Sequence, residues 1–307
     1  MRFGINGTGL VQKASVQAIT EHAEQARADG FKSYWLAEHP TGGLDAITTL
    51  ALAGQSVPEI ELGTAVVPTF PRHPMALAGQ ALTALSVLPG RFTLGIGLSH
   101  APMMAQLGIG FEKPIRHLRE FLSVLVPLLE EGRVSYSGET LACEAQVFGP
   151  PEEACPVVVA ALGPQALRVA GARTRGTTLA WVGPRTIREH IAPVIGEAAA
   201  KAGKGAPRII ATLPVCITED EDAVREQVAR GLSMYGKLPS YRAMFEREGV
   251  EGPGDLVLAG SEGRVAESLG ALAEAGVTDF AASEFVRSSD EFERTRAFLK
   301  RSMADYA

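Results

Sequence analysis

The stretch Ile60–Gly97, IELGTAVVPTFPRHPMALAGQALTALSVLPGRFTLGIG, decides the fold. Ile60–Val67 is a short apolar run and reads as a strand. Pro74–Leu88 reads as a helix, with proline near its start, where the missing N–H costs nothing. Phe92–Gly97 is a second strand. Strands joined through a helix imply a parallel pair.

The same alternation extends in both directions. Towards the N-terminus, Arg2–Asn6 and Ser33–Ala37 are strands. They are followed by helices over Ala14–Asp29, stopped by Gly30, and Asp45–Gln55, with Asp45 as N-cap. Towards the C-terminus come a helix over Ile115–Glu130 and then Gly132–Cys155, which lacks a helical period and reads as an insertion with short antiparallel strands. Val157–Ala161, Thr177–Val182, Arg208–Ile217 and Val277–Ala282 are further strands, with helices at Pro164–Ala172, Pro184–Ala202, Ser261–Ala275 and Ser288–Met303. Thr218 and Glu221 form a capping box for the helix after the seventh strand, and the acidic run Glu219–Asp222 serves its dipole. Leu238–Gly254 reads as a second irregular stretch. Eight strand–helix units in 307 residues fit one α/β domain, 1–307, a closed (β/α)8 TIM barrel with insertions near 132–155 and 238–260. An open doubly wound sheet is disfavoured, because NGTGLV after the first strand lacks the third glycine of the dinucleotide fingerprint.

Composition narrows the function. Twenty-nine basic against 35 acidic residues leave a net charge of −6, which argues against a nucleic-acid binder. Three widely spaced cysteines, Cys143, Cys155 and Cys216, form neither a disulfide framework nor a zinc pattern. The start MRFGINGTG is no signal peptide, and the apolar run at 155–163 is too short to cross a bilayer. A cytoplasmic protein without membrane or nucleic-acid partners is expected.

Chemistry in such barrels sits at the C-terminal ends of the strands. The second strand ends in Glu38-His39, the fourth in Gly97-Leu98-Ser99-His100, the fifth in Ala160-Ala161-Leu162-Gly163-Pro164; the sixth carries Trp181, and the eighth leads to Glu284. His39 and His100 fall on this rim and suit proton traffic near neutral pH. His22, His73, His117 and His190 read as surface or capping residues. Glu38, His39 and His100 lack a converging further ligand, so no metal is expected. Small residues near the rim, including Gly95, Gly97, Ala160 and Ala161, leave room for a flat ligand. The N–H groups after Gly163 could hold a phosphate, and Gly183-Pro184-Arg185 offers a similar site.

ADGFKSYWLAEHP (28–40), the block from Leu62 to His100, and VVVAALGPQALRVAG (157–171) resemble the bacterial luciferase-like superfamily, most closely its coenzyme F420-dependent oxidoreductases. The resemblance implies a (β/α)8 barrel with the deazaflavin across its C-terminal mouth. It implies an active-site histidine at His39 with an acidic partner at Glu38, and a non-proline cis peptide at Ala65–Val66 behind the ring. It also implies cofactor contacts from Gly97, Leu98 and Ser99 and from the segment Ala160, Ala161, Leu162, Gly163 and Pro164. The sugar-phosphate dehydrogenases of the family carry a glutamate where this chain has His100, and their basic phosphate-binding residues have no counterpart here, which disfavours a sugar-phosphate substrate. The expected activity is hydride transfer between the deazaflavin C5 and a C=C, C=N or C=O bond of a small neutral molecule. His39 or His100 would handle the proton, with Glu38 orienting His39. Alternatives are an FMN-dependent monooxygenase of the same superfamily and a non-catalytic flavin- or deazaflavin-binding protein. Many relatives are dimers, so a homodimer is expected, with the helix Met75–Leu88 as a possible contact.

Overall fold

The computed structural model describes residues 1–149 and 151–306. Position 150, within the expected insertion at 132–155, and position 307, the end of the expected domain, lie outside the described residues. Eight parallel strands close a barrel in chain order: Arg2–Asn6, Ser33–Leu36, Glu61–Thr64, Phe92–Gly97, Val157–Val159, Gly176–Ala180, Arg208–Thr212 and Asp279–Glu284. The eighth strand pairs with the first, Arg2 opposite Asp279 and Ile5 opposite Ala282. Helices surround the barrel, which makes it a TIM barrel.

Alternation along each strand separates two apolar layers. Ile5, Leu36, Leu62, Leu94, Ile96, Val159, Leu179, Ile209 and Phe280 join the main core shared with the helices. Trp35, Val158, Ile210 and Ala281 meet in a separate cluster within the barrel. At the N-terminal end, Arg208 donates to Glu61 Oε1 and to Asp279 Oδ1, both at 2.7 Å, and its guanidinium lies 5.7 Å from the Trp35 ring. Burial pushes the Glu61 carboxyl up, but hydrogen bonds and charge from Arg208 outweigh this and hold it below its ordinary range.

Several expected elements differ in detail. The third strand does not run unbroken from Ile60 to Val67: it stops at Thr64, passes through a cis Ala65–Val66 peptide and resumes at Val67–Pro68. At this break the Thr64 hydroxyl takes over from the backbone ladder, donating to the Gly95 carbonyl at 2.7 Å and accepting from its N–H at 2.8 Å. Gly95 must be glycine, because a Cβ there would lie 1.8 Å from the Thr64 carbonyl oxygen. The seventh strand breaks at Leu213, and its continuation Pro214–Ile217 pairs with an added strand, Leu258–Gly260. The capping box does not form. Asp220 caps the helix Glu221–Gly231 by accepting from the Ala223 N–H, while Thr218 accepts from the Asp220 N–H and donates to Glu291. The stretch read as irregular, Leu238–Gly254, contains a helix at Pro239–Glu248. The insertion after Glu130 is a hairpin, Arg133–Ser137 with Ala142–Gln146. Its turn is held by the Glu120 carboxylate, which accepts from the backbone N–H groups of Glu139, Thr140 and Leu141.

Replacing Arg208 by Ala leaves the half-exposed Arg2, which meets Glu61 at 2.6 Å and Asp279 at 3.3 Å, as the remaining cation of the cluster. The expected loss is about 1.5–3 kcal/mol in urea unfolding, the worth of hydrogen bonds to charged groups; an unchanged midpoint would show that Arg208 contributes nothing to the barrel base.

Candidate active site

The barrel is sealed below and open above. Trp35, Val158, Ile210 and Ala281 are fully buried. One pleat nearer the C-terminal ends, Ala65, Ala160, Ala180, Thr212 and Ser283 are all partly accessible. Every one of these upper residues is small, so the mouth has a shallow floor of methyl, hydroxyl and backbone groups. The fourth-strand turn and the sixth-strand end are both fixed in unusual backbone: Ser99 has φ +63° and Trp181 φ +59°. Non-glycine residues rarely occupy this region and tend to do so at functional sites. A planar ring fits this floor better than a branched ligand, which meets the first requirement of a deazaflavin or flavin.

The histidines divide sharply. His39 is exposed, with Nδ1 3.2 Å from the Thr41 hydroxyl. The expected Glu38–His39 contact does not form. Glu38 is instead gripped by Arg72 through a pair of bonds of 2.6 and 2.8 Å, and Arg72 also donates to Asp45 at 2.7 Å. A bidentate guanidinium outcompetes a single imidazole N–H for a carboxylate. The His100 imidazole is half-buried, has no hydrogen bond among the described residues, and is kept neutral near pH 7 by burial, which lowers its pKa.

Three histidines read as surface or capping groups do more than that. His117, on the helix Pro114–Glu130, stacks on Phe70 at 4.0 Å, with Nε2 3.1 Å from the hydroxyl of the fully buried Thr69 at the end of the third strand. Burial lowers its pKa, partly offset by the charge of Glu120. The sequence holds a signal for this placement: His117 shares the helical stripe of the buried Phe121 and Leu125. His190 is buried and bonds the Leu162 carbonyl at 2.8 Å. His22 lies between Tyr34 and Glu284, 3.1 Å from each. His73 does cap its helix, accepting from the Met75 N–H.

Glu284 is not a mouth residue. Its carboxylate is buried on the outer side of the eighth strand against Arg296 and His22. The two helix N-termini expected to suit a phosphate also differ. At Gly183-Pro184-Arg185 the N–H groups of Arg185 and Thr186 already bind the Glu248 carboxylate, at 3.1 and 2.7 Å. At Gly163 no side chain caps the helix Pro164–Arg173, and Gly163, Pro164 and Gln165 are exposed. Only the second can receive an external anion.

An aromatic series spans one side of the mouth: Trp181, expected at the rim, with Tyr235 and Tyr241, which the sequence reading missed, reaching His100. Tyr235 and Tyr241 sit where no apolar period marks a barrel element, so pattern alone did not reveal them.

The family model for luciferase-like monooxygenases matches residues 1–279. The chain belongs to this family. A 5,10-methylenetetrahydromethanopterin reductase of Methanolobus tindarius is 24% identical over 280 residues, 91% of this chain and 84% of that protein. An F420-dependent glucose-6-phosphate dehydrogenase of Kineococcus radiotolerans is 29% identical over 217 residues, 66% of this chain, and the match spans 64% of that protein's length. The solved structure of a coenzyme F420-dependent tetrahydromethanopterin reductase from Methanopyrus kandleri has a TM-score of 0.81 at 21% identity, covering 98% of this chain and 97% of that one. This luciferase-like chain therefore shares the barrel of that enzyme over almost its whole length. No helix among the described residues is long and apolar enough to cross a membrane.

The lowered pKa values of His100 and His117 have a consequence for stability. The folded chain keeps both imidazoles neutral where the unfolded chain protonates them, so stability is lost as pH falls below about 6.5. Urea midpoints at pH 7.5 and 5.5 should differ in that direction, and the double variant His100→Asn, His117→Asn should show a shallower decline. An equal decline in both proteins would assign it to other groups.

Proposed function

We propose that this luciferase-like chain, as a single barrel domain over 1–307, is a coenzyme F420-dependent oxidoreductase acting on a C=C, C=N or C=O bond of a small organic substrate. The observation that carries this reading is the mouth itself, a floor of small residues beside the unpartnered His100, in a chain whose relatives include F420-dependent enzymes. Bound there, the deazaflavin would supply a hydride donor or acceptor at its C5. Ala65, Val66, Gly97, Leu98 and Ser99 would hold its ring face, and Ala160, Ala161, Leu162, Gly163 and Pro164 its phosphate-bearing side. The free N–H groups of Gln165 and Ala166 provide the donors there, while Pro164 provides none.

His100 holds or takes the substrate proton. It is neutral near pH 7, half-buried, and free of competing hydrogen bonds. His39 is the second group for that role and lies at the rim. Glu38 works through Arg72 and Asp45, which tie the second-strand loop to the helix Ala46–Ser56; we assign it a positioning role. A homodimer and a cytoplasmic setting complete the proposal, with the exposed Leu52 and Val87 as apolar contacts.

The test is titration of the chain with F420 and, separately, FMN, followed through tryptophan emission, then turnover on a panel of enones, cyclic imines and ketones. F420 should bind at micromolar concentration and FMN far more weakly. His100→Ala should lower turnover by ~10²–10⁴-fold while F420 affinity is kept. Preferential FMN binding would favour the monooxygenase alternative, and F420 binding without turnover would favour a cofactor carrier.

A further inference from the structure

The mouth carries an aromatic arch that hydride transfer alone does not require. Trp181 leaves the end of the sixth strand, and its ring lies 5.7 Å from Tyr235. Tyr235 meets Tyr241 edge-on at 4.9 Å and 83°, and Tyr241 lies 5.7 Å from the His100 ring after the fourth strand. The series thus spans from the sixth strand to the fourth, on either side of the fifth-strand end at Ala160–Leu162.

The arch is built into the fold. Tyr235 begins a short turn, Tyr235–Lys237, and Tyr241 belongs to the helix Pro239–Glu248. That helix is anchored by buried Met244 and Phe245 and by Glu248, whose carboxylate accepts the N–H groups of Arg185 and Thr186. The arch is also electrically quiet. Glu38 is committed to Arg72, Glu248 to backbone, and Glu284 to Arg296. Among the described residues no hydrogen bond joins Trp181, Tyr235, Tyr241 or His100 to a charged group, and the Tyr241 hydroxyl has no hydrogen-bond partner. Burial raises both phenol pKa values, so both hydroxyls stay protonated. The nearest cations in sequence, Lys237 and Arg242, are both exposed, and Arg242 pairs with Glu246 on its own helix at 3.8 Å.

We propose that Trp181, Tyr235, Tyr241 and His100 form the substrate-recognition wall, and that the substrate class is an uncharged, planar, conjugated ring compound bearing a carbonyl. Ring faces and edges supply stacking partners for such a molecule. The free Tyr241 hydroxyl and the neutral His100 supply donors for its carbonyl oxygen. An anionic substrate would leave water for a wall without a counter-charge, which is costly. The proposal rests on the reading of the mouth as the F420 site, and the test separates the two.

Chromone is the neutral probe, chromone-2-carboxylate its charged counterpart, and glucose 6-phosphate an anionic control. Affinities are measured by calorimetry on the full chain loaded with F420, with F420 binding measured independently. Chromone should bind at least tenfold more tightly than either anion. Tyr241→Leu and Tyr235→Leu should weaken chromone about tenfold, as expected for a lost stacking partner plus its contact area, with F420 affinity within twofold. Tyr241→Phe, which keeps the ring but loses the hydroxyl donor, should weaken chromone about threefold, less than Tyr241→Leu does. Equal or tighter binding of either anion overturns the proposal, as does unchanged chromone affinity in both leucine variants. Should a leucine variant fail to fold, the neutral-against-anionic comparison on the unaltered chain decides alone. Failure of F420 to bind that chain refutes the cofactor reading instead, whatever chromone does.

Discussion

Trp35 can fill the barrel only because Gly63, beside it on the third strand, has no side chain: a Cβ there would stand 2.2 Å from the indole. With the indole in place, the interior needs little else. Val158, Ile210 and Ala281 complete the seal, and Ser33 accepts the indole N–H at 2.9 Å, so no polar group is stranded. Below the indole the interior can be ionic, because Arg208 meets Glu61 and Asp279 there. Above it the interior must be small, because large residues would fill the mouth that the indole closes off from beneath. One large side chain at mid-barrel therefore sets both the stability of the base and the depth of the site.

The distribution of charge follows from the same geometry. Residues that alternate outward at the C-terminal ends reach the helices, and their carboxylates find cations there, as Glu284 finds Arg296. Residues that alternate inward are small. The mouth is consequently lined by the half-buried imidazole of His100, the hydroxyls of Thr212 and Ser283, and the rings of Trp181, Tyr235 and Tyr241.

Much of this was legible in the sequence. The alternation of Ile60–Gly97 gave parallel strands, and its repetition gave eight of them. The resemblance placed an unusual peptide at Ala65–Val66, where the backbone is indeed cis. What pattern could not reveal were pairings between distant elements. Glu38 and His39 are neighbours in the chain, yet Arg72, 34 residues away from Glu38, takes the carboxylate. Glu221 sits at the right spacing from Thr218, yet the helix begins at Glu221, so Asp220 is its N-cap and accepts from the Ala223 N–H. Competition between partners is decided in three dimensions, and spacing records only one competitor.

The two Gly-Pro helix starts show how such competition can sharpen a site. From sequence, Leu162-Gly163-Pro164 and Val182-Gly183-Pro184 are equivalent: each opens a helix with proline at its first turn and bare N–H groups behind it. In the folded chain Glu248 fills the second with an internal carboxylate, which satisfies its N–H groups and cancels its partial positive charge. The same bond docks the helix that carries Tyr241. The anchoring of the aromatic wall and the removal of a competing anion site are thus a single interaction. Of the two, the N-terminus after Gly163 alone stays open to an external anion.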